Sequence, residues 1–515
     1  MPDVLSEKAP LMDVEKDSDH RQEPTDVSSL LPTKDLHAEN TLTRYWGKLQ
    51  AVQRSRAGFQ TGLFRVISSI LIILGLIILF TKPWQEVRGE RLFRESALAK
   101  TPPDIHSMRY SKSRTYPVCS SIVSKNFRYE FNIPTHDSIP KEWRLIDTAV
   151  YNKHVKGQVV IARGDFFQES DIEVHVSVRS SKDIDFDNSV KFSPTHISLR
   201  LDYRFETSSN DCVVIDVVVY LRPYPKIHSR ILQVHTNNLD IRFQESLNWE
   251  VDNLIVNSAH GDLVLDANLW VEPLVAHNVS FSTIYGTIFG IFVPYANLKV
   301  HSDHGMVDLW LMPHLLRDRP FYPENVSIST ISADIWVQGF FEGWALHPYT
   351  HRIDVATHLG NIHAAVPHGL YTNVSSIFGD IWTVIQPFGA SGPDIVNEIY
   401  TRTEFGSIRQ LWLFEPQNET RYEKEPVKYN SIFNLVAHHE AKNGTMDMQY
   451  PHSWCGHMEA RINDGEIFFD ARSHDNDIKK GDGYVKLNRT HKGSKCSSQV
   501  DVHMNTGSMK IEFAG

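Results

Sequence analysis

The stretches "STIYGTIFG" (282–290) and "TEFGSIRQL" (403–411) carry one pattern: a Ser or Thr, two residues, a Gly, one residue and an aliphatic. Extended backwards, the pattern becomes apolar, x, apolar, x, Ser/Thr, x, x, Gly, x, apolar. It fits 254–263, 279–288, 298–307, 326–335, 353–362, 372–381 and 399–408, with looser copies at 232–241, 427–436, 458–467 and 500–509. The Gly position falls at 239, 261, 286, 305, 333, 360, 379, 406, 434, 465 and 507, with Leu239, Ala333 and Asn434 as exceptions. A period of roughly 20 to 30 residues is the mark of stacked units.

The chemistry inside the unit says what is stacked. Apolar residues alternate with period two, which makes each unit a strand with one buried face. The segments are rich in β-branched and aromatic residues and show no helical periodicity. Gly261, Gly286, Gly305, Gly360, Gly379 and Gly406 are expected to supply positive φ at a tight turn. Ser or Thr fills the fifth position nine times in succession: Thr236, Ser258, Thr283, Ser302, Thr330, Thr357, Ser376, Thr403 and Ser431. Its parity matches the preceding apolar residues, so it faces inward at a corner, where its hydroxyl can bond turn backbone. Strand, turn, strand, repeated, predicts an all-β chain whose major part, residues 246–515, is a β-solenoid. A β-sandwich of regular hairpins competes, but hairpins do not demand one signature at every second corner.

The recurring "GDL", "GDI", "GNI" and "GSI" after Ser/Thr-x-x, over about residues 232 to 515, resemble the putative-adhesin domain family. That resemblance implies a β-solenoid in bacterial and fungal proteins, here a membrane-anchored one of fungal type, and brings no catalytic motif with it.

Residues 116–245 contain alternating or wholly apolar strands without the Gly template. They predict a β-sandwich-like module or irregular first coils that cap the stack. Residues 83–115 form a charged stem. Before it, Leu63 to Phe80 spans 18 residues, 14 of them large and apolar. As a helix this is about 27 Å, close to a hydrocarbon core, so 62–82 is expected to cross a membrane once. Residues 1–60 are polar, charged and poor in aromatics, and are expected to be a disordered cytosolic tail. In that tail Asp26 before Leu30-Leu31, and Glu7 before Leu11-Met12, are strings that sorting signals also show.

Orientation is read from the residues on the C-terminal side of the apolar segment. All six Asn-x-Ser/Thr sequons, at Asn278, Asn325, Asn373, Asn418, Asn443 and Asn488, lie there, as do all four cysteines, Cys119, Cys212, Cys455 and Cys496. An even cysteine count beside glycan acceptors fits an oxidising compartment. The expectation is a type II signal anchor with its ectodomain outside the cell or in the secretory or vacuolar lumen. Pairings Cys119–Cys212 and Cys455–Cys496 keep each bridge within one region, although four cysteines allow three connectivities.

Composition is ordinary for a globular chain, 41% hydrophobic and 22% charged with a net charge of −10, and no basic tract stands out; nucleic-acid binding is excluded as a reading. No Gly-rich phosphate loop, GxSxG elbow or Cys-x-x-Cys is present. "HHE" (438–440) lacks further ligands at zinc-site spacing, and no cofactor is implied. His260 and His304 precede template glycines, where the turn accounts for them. The expected function is therefore non-enzymatic: an adhesin-like binding or scaffold module for cell-wall glycan or another surface protein. Trp310, Trp336 and Trp382 are candidate sugar contacts or, equally, core residues; parity places Trp336 and Trp382 outward, where a neighbouring module could cover them. The alternative is a membrane-anchored β-helix hydrolase or lyase, which would need two carboxylates converging in one groove.

Overall fold

A computed structural model describes residues 123–132, 142–147, 154–181, 190–193, 196–199, 212–244, 247–266, 274–312, 324–339, 352–387, 396–413, 434–471, 476–490 and 497–514. The expected tail (1–60), membrane helix (62–82) and stem (83–115), together with Cys119, Asn418, Ser431 and Cys496, lie outside these residues. Among the described residues every regular element is a strand, and no helix is long and apolar enough to cross a membrane. The protein is all-β over this region.

Each repeat unit contributes two strands. The first ends on the template hydroxyl, as in Val275–Thr283, or two residues past it, as in Arg352–Leu359, and the second begins four or five residues after that hydroxyl, as in Ile288–Phe292. Strands do not pair within a unit. Each pairs in parallel with its counterpart one unit along, giving two ladders. In the first, Thr236, Ser258, Thr283, Ser302, Thr330, Thr357, Ser376 and Thr403 are successive partners. In the second, Ile241, Leu263, Ile288, Val307, Ile335, Ile362, Ile381 and Ile408 are successive partners. All sixteen are buried. The alternating pattern therefore does what period two requires: one row of each strand fills the space between the ladders and the other row faces out.

Residues before the template join the same ladders. Glu142–Asp147 pairs in parallel with Ile227–Thr236, and Val155–Arg163 pairs in parallel with Asp240–Phe243. Antiparallel strands flank the ladders at both ends: Val123–Phe131 on Ile172–Ser180, and the hairpin Asn476–Gly481 with Tyr484–Arg489 against Gly456–Arg461. Antiparallel strands at the ends of parallel stacks limit edge-to-edge growth.

The corner is where the sequence reading needs correction. None of Gly261, Gly286, Gly305, Gly360, Gly379 and Gly406 has φ in the left-handed region. They are glycine because the neighbouring unit's backbone lies against them. A Cβ on Gly286 would sit 1.9 Å from the Gly261 carbonyl oxygen; on Gly305, 1.8 Å from that of Gly286; on Gly379, 1.8 Å from that of Gly360; on Gly406, 2.1 Å from that of Gly379. Ala333 takes this corner with a methyl group, and nothing in the structure explains the tolerance. Positive φ does occur further along, where Gly444, Gly507 and Gly465 stack at φ of 127°, 136° and 139°.

The hydroxyl column agrees with the reading for eight members. Thr236, Thr283 and Thr330 donate to their own corner carbonyls, Leu239 at 2.8 Å, Gly286 at 2.6 Å and Ala333 at 2.6 Å. Ser376 and Thr403 donate to the corner one unit back, Gly360 at 3.0 Å and Gly379 at 2.9 Å. Ser258 and Ser302 accept from the amides of Gly261 and Gly305 at 2.9 and 2.8 Å. The ninth member is Ala441, which pairs with Thr403, and not Ser431. The last interval is 38 residues (403 to 441), so a template slid along at the earlier spacing lands too early. Cys212 and Cys455 are both disulfide-bonded.

Two substitutions separate close approach from hydrogen bonding. Gly379→Ala is expected to cost about 3 kcal/mol, since backbone must move to admit a methyl group. Ser376→Ala should cost about 1 kcal/mol through one lost buried hydrogen bond. Urea unfolding of the two variants checks the order; a Gly379→Ala variant as stable as the parent would overturn the packing argument.

Candidate binding face

The outward rows of the two ladders differ in chemistry. On the first ladder the partners Asn253, Asn278, Asn297 and Asn325 form a row, with Asn278 Nδ2 donating to Asn253 Oδ1 (3.3 Å), Asn297 Nδ2 to Asn278 Oδ1 (3.0 Å) and Asn325 Nδ2 to Asn297 Oδ1 (2.9 Å). Asn373 Nδ2 donates to Asp354 Oδ1 at 2.9 Å in the same way. The sequon residues Asn278 and Asn325 are exposed and Asn373 is half-buried on this face; Asn443 and Asn488 are exposed near the far end.

On the second ladder the outward row is aromatic. Phe289, Asp308, Trp336, His363 and Trp382 are successive partners. In-register parallel pairing puts each ring over the next. His363 lies 3.8 Å from Trp336 at an interplanar angle of 8° and 4.3 Å from Trp382 at 7°. The Arg409 guanidinium sits 5.4 Å over Trp382 and its Nε donates to Asp380 Oδ2 at 2.6 Å. Burial between the indoles pushes His363 down to about 4, against the upward pull of Asp334 and Asp380. The imidazole is therefore neutral near pH 7 and stacks as an uncharged ring. Burial also raises Asp308, which adjoins Trp336 in the ladder.

This geometry decides what the tryptophans offer. Trp336 and Trp382 each have one face covered by His363, and Trp382 also carries the Arg409 guanidinium over its ring, so neither is a free platform on both faces. Trp310 differs: it is 37% exposed and has no ring neighbour among the described residues. Beside this face, at the corner, runs a second stripe at the position before the template Gly. Tyr285 stacks between His260 and His304 at 4.8 and 5.1 Å, and Phe378 stacks on Phe405 at 4.8 Å. Tyr285, Leu359, Phe378 and Phe405 are all exposed. The two histidines thus belong to ring stacks on the corner.

One row escaped the sequence reading. The residue after the Gly accepts a hydrogen bond from the next unit's backbone: Asp262 N donates to Asp240 Oδ1 (2.9 Å), Thr287 N to Asp262 Oδ1 (2.9 Å), Asn361 N to Asp334 Oδ1 (2.7 Å), Asp380 N to Asn361 Oδ1 (2.9 Å) and Ser407 N to Asp380 Oδ1 (2.8 Å). The repeated "GDL", "GDI" and "GNI" carried that signal. These carboxylates are spent on backbone amides. Within "HHE", His438 stacks on Tyr400 at 5.2 Å on the outer face, whereas His439 points inward to the Tyr450 hydroxyl at 2.7 Å. Opposite faces cannot chelate one ion, and no group of three metal-ligating side chains occurs among the described residues.

No family model matches the chain, and no curated protein matches it. Among solved structures, a putative cell adhesion protein from Clostridium sporogenes aligns at 8% identity and a TM-score of 0.13, covering 76% of this chain and 100% of that one. So low a TM-score bears neither on fold nor on function.

The interior adds a pH dependence. His368 and His439 are wholly buried, and burial pushes both down to about 3, with His438 adding to the effect on His439. An unfolded chain would protonate them below about pH 6.5. The stability tied to their neutral forms is then complete above that pH and is lost as pH falls towards the folded value, at about 1.4 kcal/mol per pH unit for each. Unfolding measured between pH 7 and about 4.5 should show this slope, and His439→Gln should reduce it by about half, leaving the part due to His368. A level profile would refute the burial of neutral imidazoles.

Proposed function

We propose that the two parallel ladders are the walls of a β-solenoid ectodomain, held to a membrane by residues 62–82 in type II orientation and displayed as an adhesin-like binding or scaffold module. The observation that carries this reading is the contrast between the ladders. Three sequon asparagines stand on the polar face of the first, while the aromatic row stands on the second. Glycans at Asn278, Asn325 and Asn373 would sheathe one face and leave the other bare for a cell-wall glycan or a surface protein. A glycan on Nδ2 leaves one N–H, enough for each asparagine to keep its bond to the row.

The module is non-enzymatic in this reading. In its support, the acidic row after the template Gly is engaged with backbone amides, and the lowered histidines are explained by stacking and burial. It needs no cofactor, and its compartment is the extracellular or secretory and vacuolar lumen. The pattern shared with the putative-adhesin domain family fits the same picture.

The test has two arms. In sealed microsomes, protease should remove the tail and spare the ectodomain, whose mass should fall on glycosidase treatment; cleavage of the ectodomain with no glycan-dependent shift would sink the topology. Secreted residues 83–515 on a glycan array and in cell-wall pull-down should bind a ligand, and Trp310→Ala should weaken it about tenfold, the scale of a central aromatic contact. Binding unchanged in Trp310→Ala would move the site off this face.

A further inference from the structure

At the opposite end from the hairpin, the turn between Val155–Arg163 and Ile172–Ser180 and the segment after Val213–Leu221 bring three aromatic rings into solvent. Phe166 is 61%, Phe167 85% and Tyr224 65% exposed. Single exposed apolar residues are common, but three in contact form a patch. Phe166 stacks on Tyr224 at 6.0 Å and 13°, and Phe167 meets Phe166 edge-on at 5.5 Å.

The patch is held in place from below. Gly164 N donates to Leu221 O at 2.8 Å and Phe167 N to Asp165 Oδ1 at 2.8 Å. Gln168 Nε2 donates to the carbonyls of Ser170 and Tyr220. Arg222, paired with Asp171, also donates from Nη1 to Glu169 O at 3.0 Å, and its own carbonyl accepts from Trp249 Nε1 at 2.9 Å. None of these bonds needs the three rings to be exposed; the backbone is fixed whether or not they are buried by something else. Rings presented on a fixed backbone lose little freedom on binding, which favours recognition.

Phe167 and Tyr220 also line a cleft of about 530 Å³ beside the patch. Its charged groups are Glu130, Asp165, Glu169 and Glu173 against Arg128 and His175. Arg128 reaches Glu173 at 3.0 Å and Glu130 at 3.3 Å, and His175 reaches Glu173 at 2.5 Å. Four carboxylates thus face one guanidinium and one imidazole, leaving an excess of negative charge next to open ring faces.

We propose that this aromatic patch and cleft dock a basic, extended peptide segment of a partner protein. Its Arg or Lys side chains would meet Asp165 and Glu169 and lie on the rings of Phe167 and Tyr220, where a desolvated cation gains from both charge and ring quadrupole. The apolar patch alone would accept a lipid surface or a second copy. The carboxylate excess selects the cation-bearing peptide. The site lies apart from the Trp310 face, so either can fail without the other.

The test uses the full chain and a labelled peptide alternating arginine with glycine, read by fluorescence anisotropy. Binding should weaken as salt rises, and should fall about fivefold or more in Phe167→Ala and in Glu169→Gln, the cost of one cation–π or charged contact. Both side chains are at the surface, so unfolding midpoints should be unchanged and a binding loss is not an unfolding artefact. The proposal is overturned if the peptide does not bind, if a glutamate version binds as well, or if either variant binds like the parent. It is also overturned if Phe167→Ala abolishes instead binding to phosphatidylcholine vesicles or self-association. Peptide binding that appears only after Arg109, Lys112 and Arg114 are changed to Ser would assign the cleft to those three residues of this chain, and would overturn the partner as well.

Discussion

Backbone against backbone at the Ser/Thr-x-x-Gly corner is the constraint on which the other features depend. The carbonyl of one template residue lies where the next unit's Cβ would be, within about 2 Å at Gly261, Gly286, Gly305, Gly379 and Gly406. Strands in a ladder are spaced about 4.8 Å apart, and a corner that turns the chain between two ladders must keep that spacing through its bend. A side chain there would force the units apart and break pairing on both walls together. The buried hydroxyls complete the corner by satisfying amides and carbonyls that the turn removes from both ladders.

Once the corner fixes the rise, parallel in-register pairing makes every position meet its own equivalent. Several rows of the repeat therefore become columns of one dominant chemistry, interrupted at single positions such as Asp308 in the aromatic row. The Ile and Leu column is core. The Asp and Asn residues of the column after the Gly, Asp240, Asp262, Asp334, Asn361 and Asp380, stitch their units to the backbone of the next. The asparagine column on one wall and the Trp336–His363–Trp382 column on the other are outcomes of the same rule applied to outward positions. The two walls can then be specified independently, because a side chain on one outer face never meets the other. A stack of this kind resembles other repeat architectures, in which stability is largely a sum over neighbouring contacts and the surface is left to carry function.

Strand periodicity, inward parity of the hydroxyls and the places where units begin were legible because each is a local property of the sequence. The reason for glycine was not. Positive φ and close approach both demand glycine, and a sequence cannot tell a residue strained by its own backbone from one crowded by a neighbour some 25 positions away. Among the stacked corner glycines, positive φ applies only in the last units, at Gly444, Gly465 and Gly507. Ser431 was misplaced for a related reason: register depends on what pairs with Thr403, and a long connection hides that from a spacing count. The aromatic column was half visible. Trp336 and Trp382 were singled out, but His363, from a unit without tryptophan, closes the stack only after register is known. The patch at Phe166, Phe167 and Tyr224 left almost no mark, because its residues come from segments more than fifty positions apart and outside the repeat.

That last contrast says where specificity can reside in such a chain. Within the repeat, any residue is answerable to its neighbours above and below, so a change that suits a ligand must also suit the column. Trp336 and Trp382 are committed to His363 in this way. Trp310 sits at the edge of that commitment, and the patch on the antiparallel end lies wholly outside it. Rings there rest on an irregular turn braced by Arg222, Asp171 and Trp249, whose bonds serve that one turn and do not recur among the other described corners. The repeat fixes register and spacing, while the positions freest to evolve a particular partner are those the repeat does not govern.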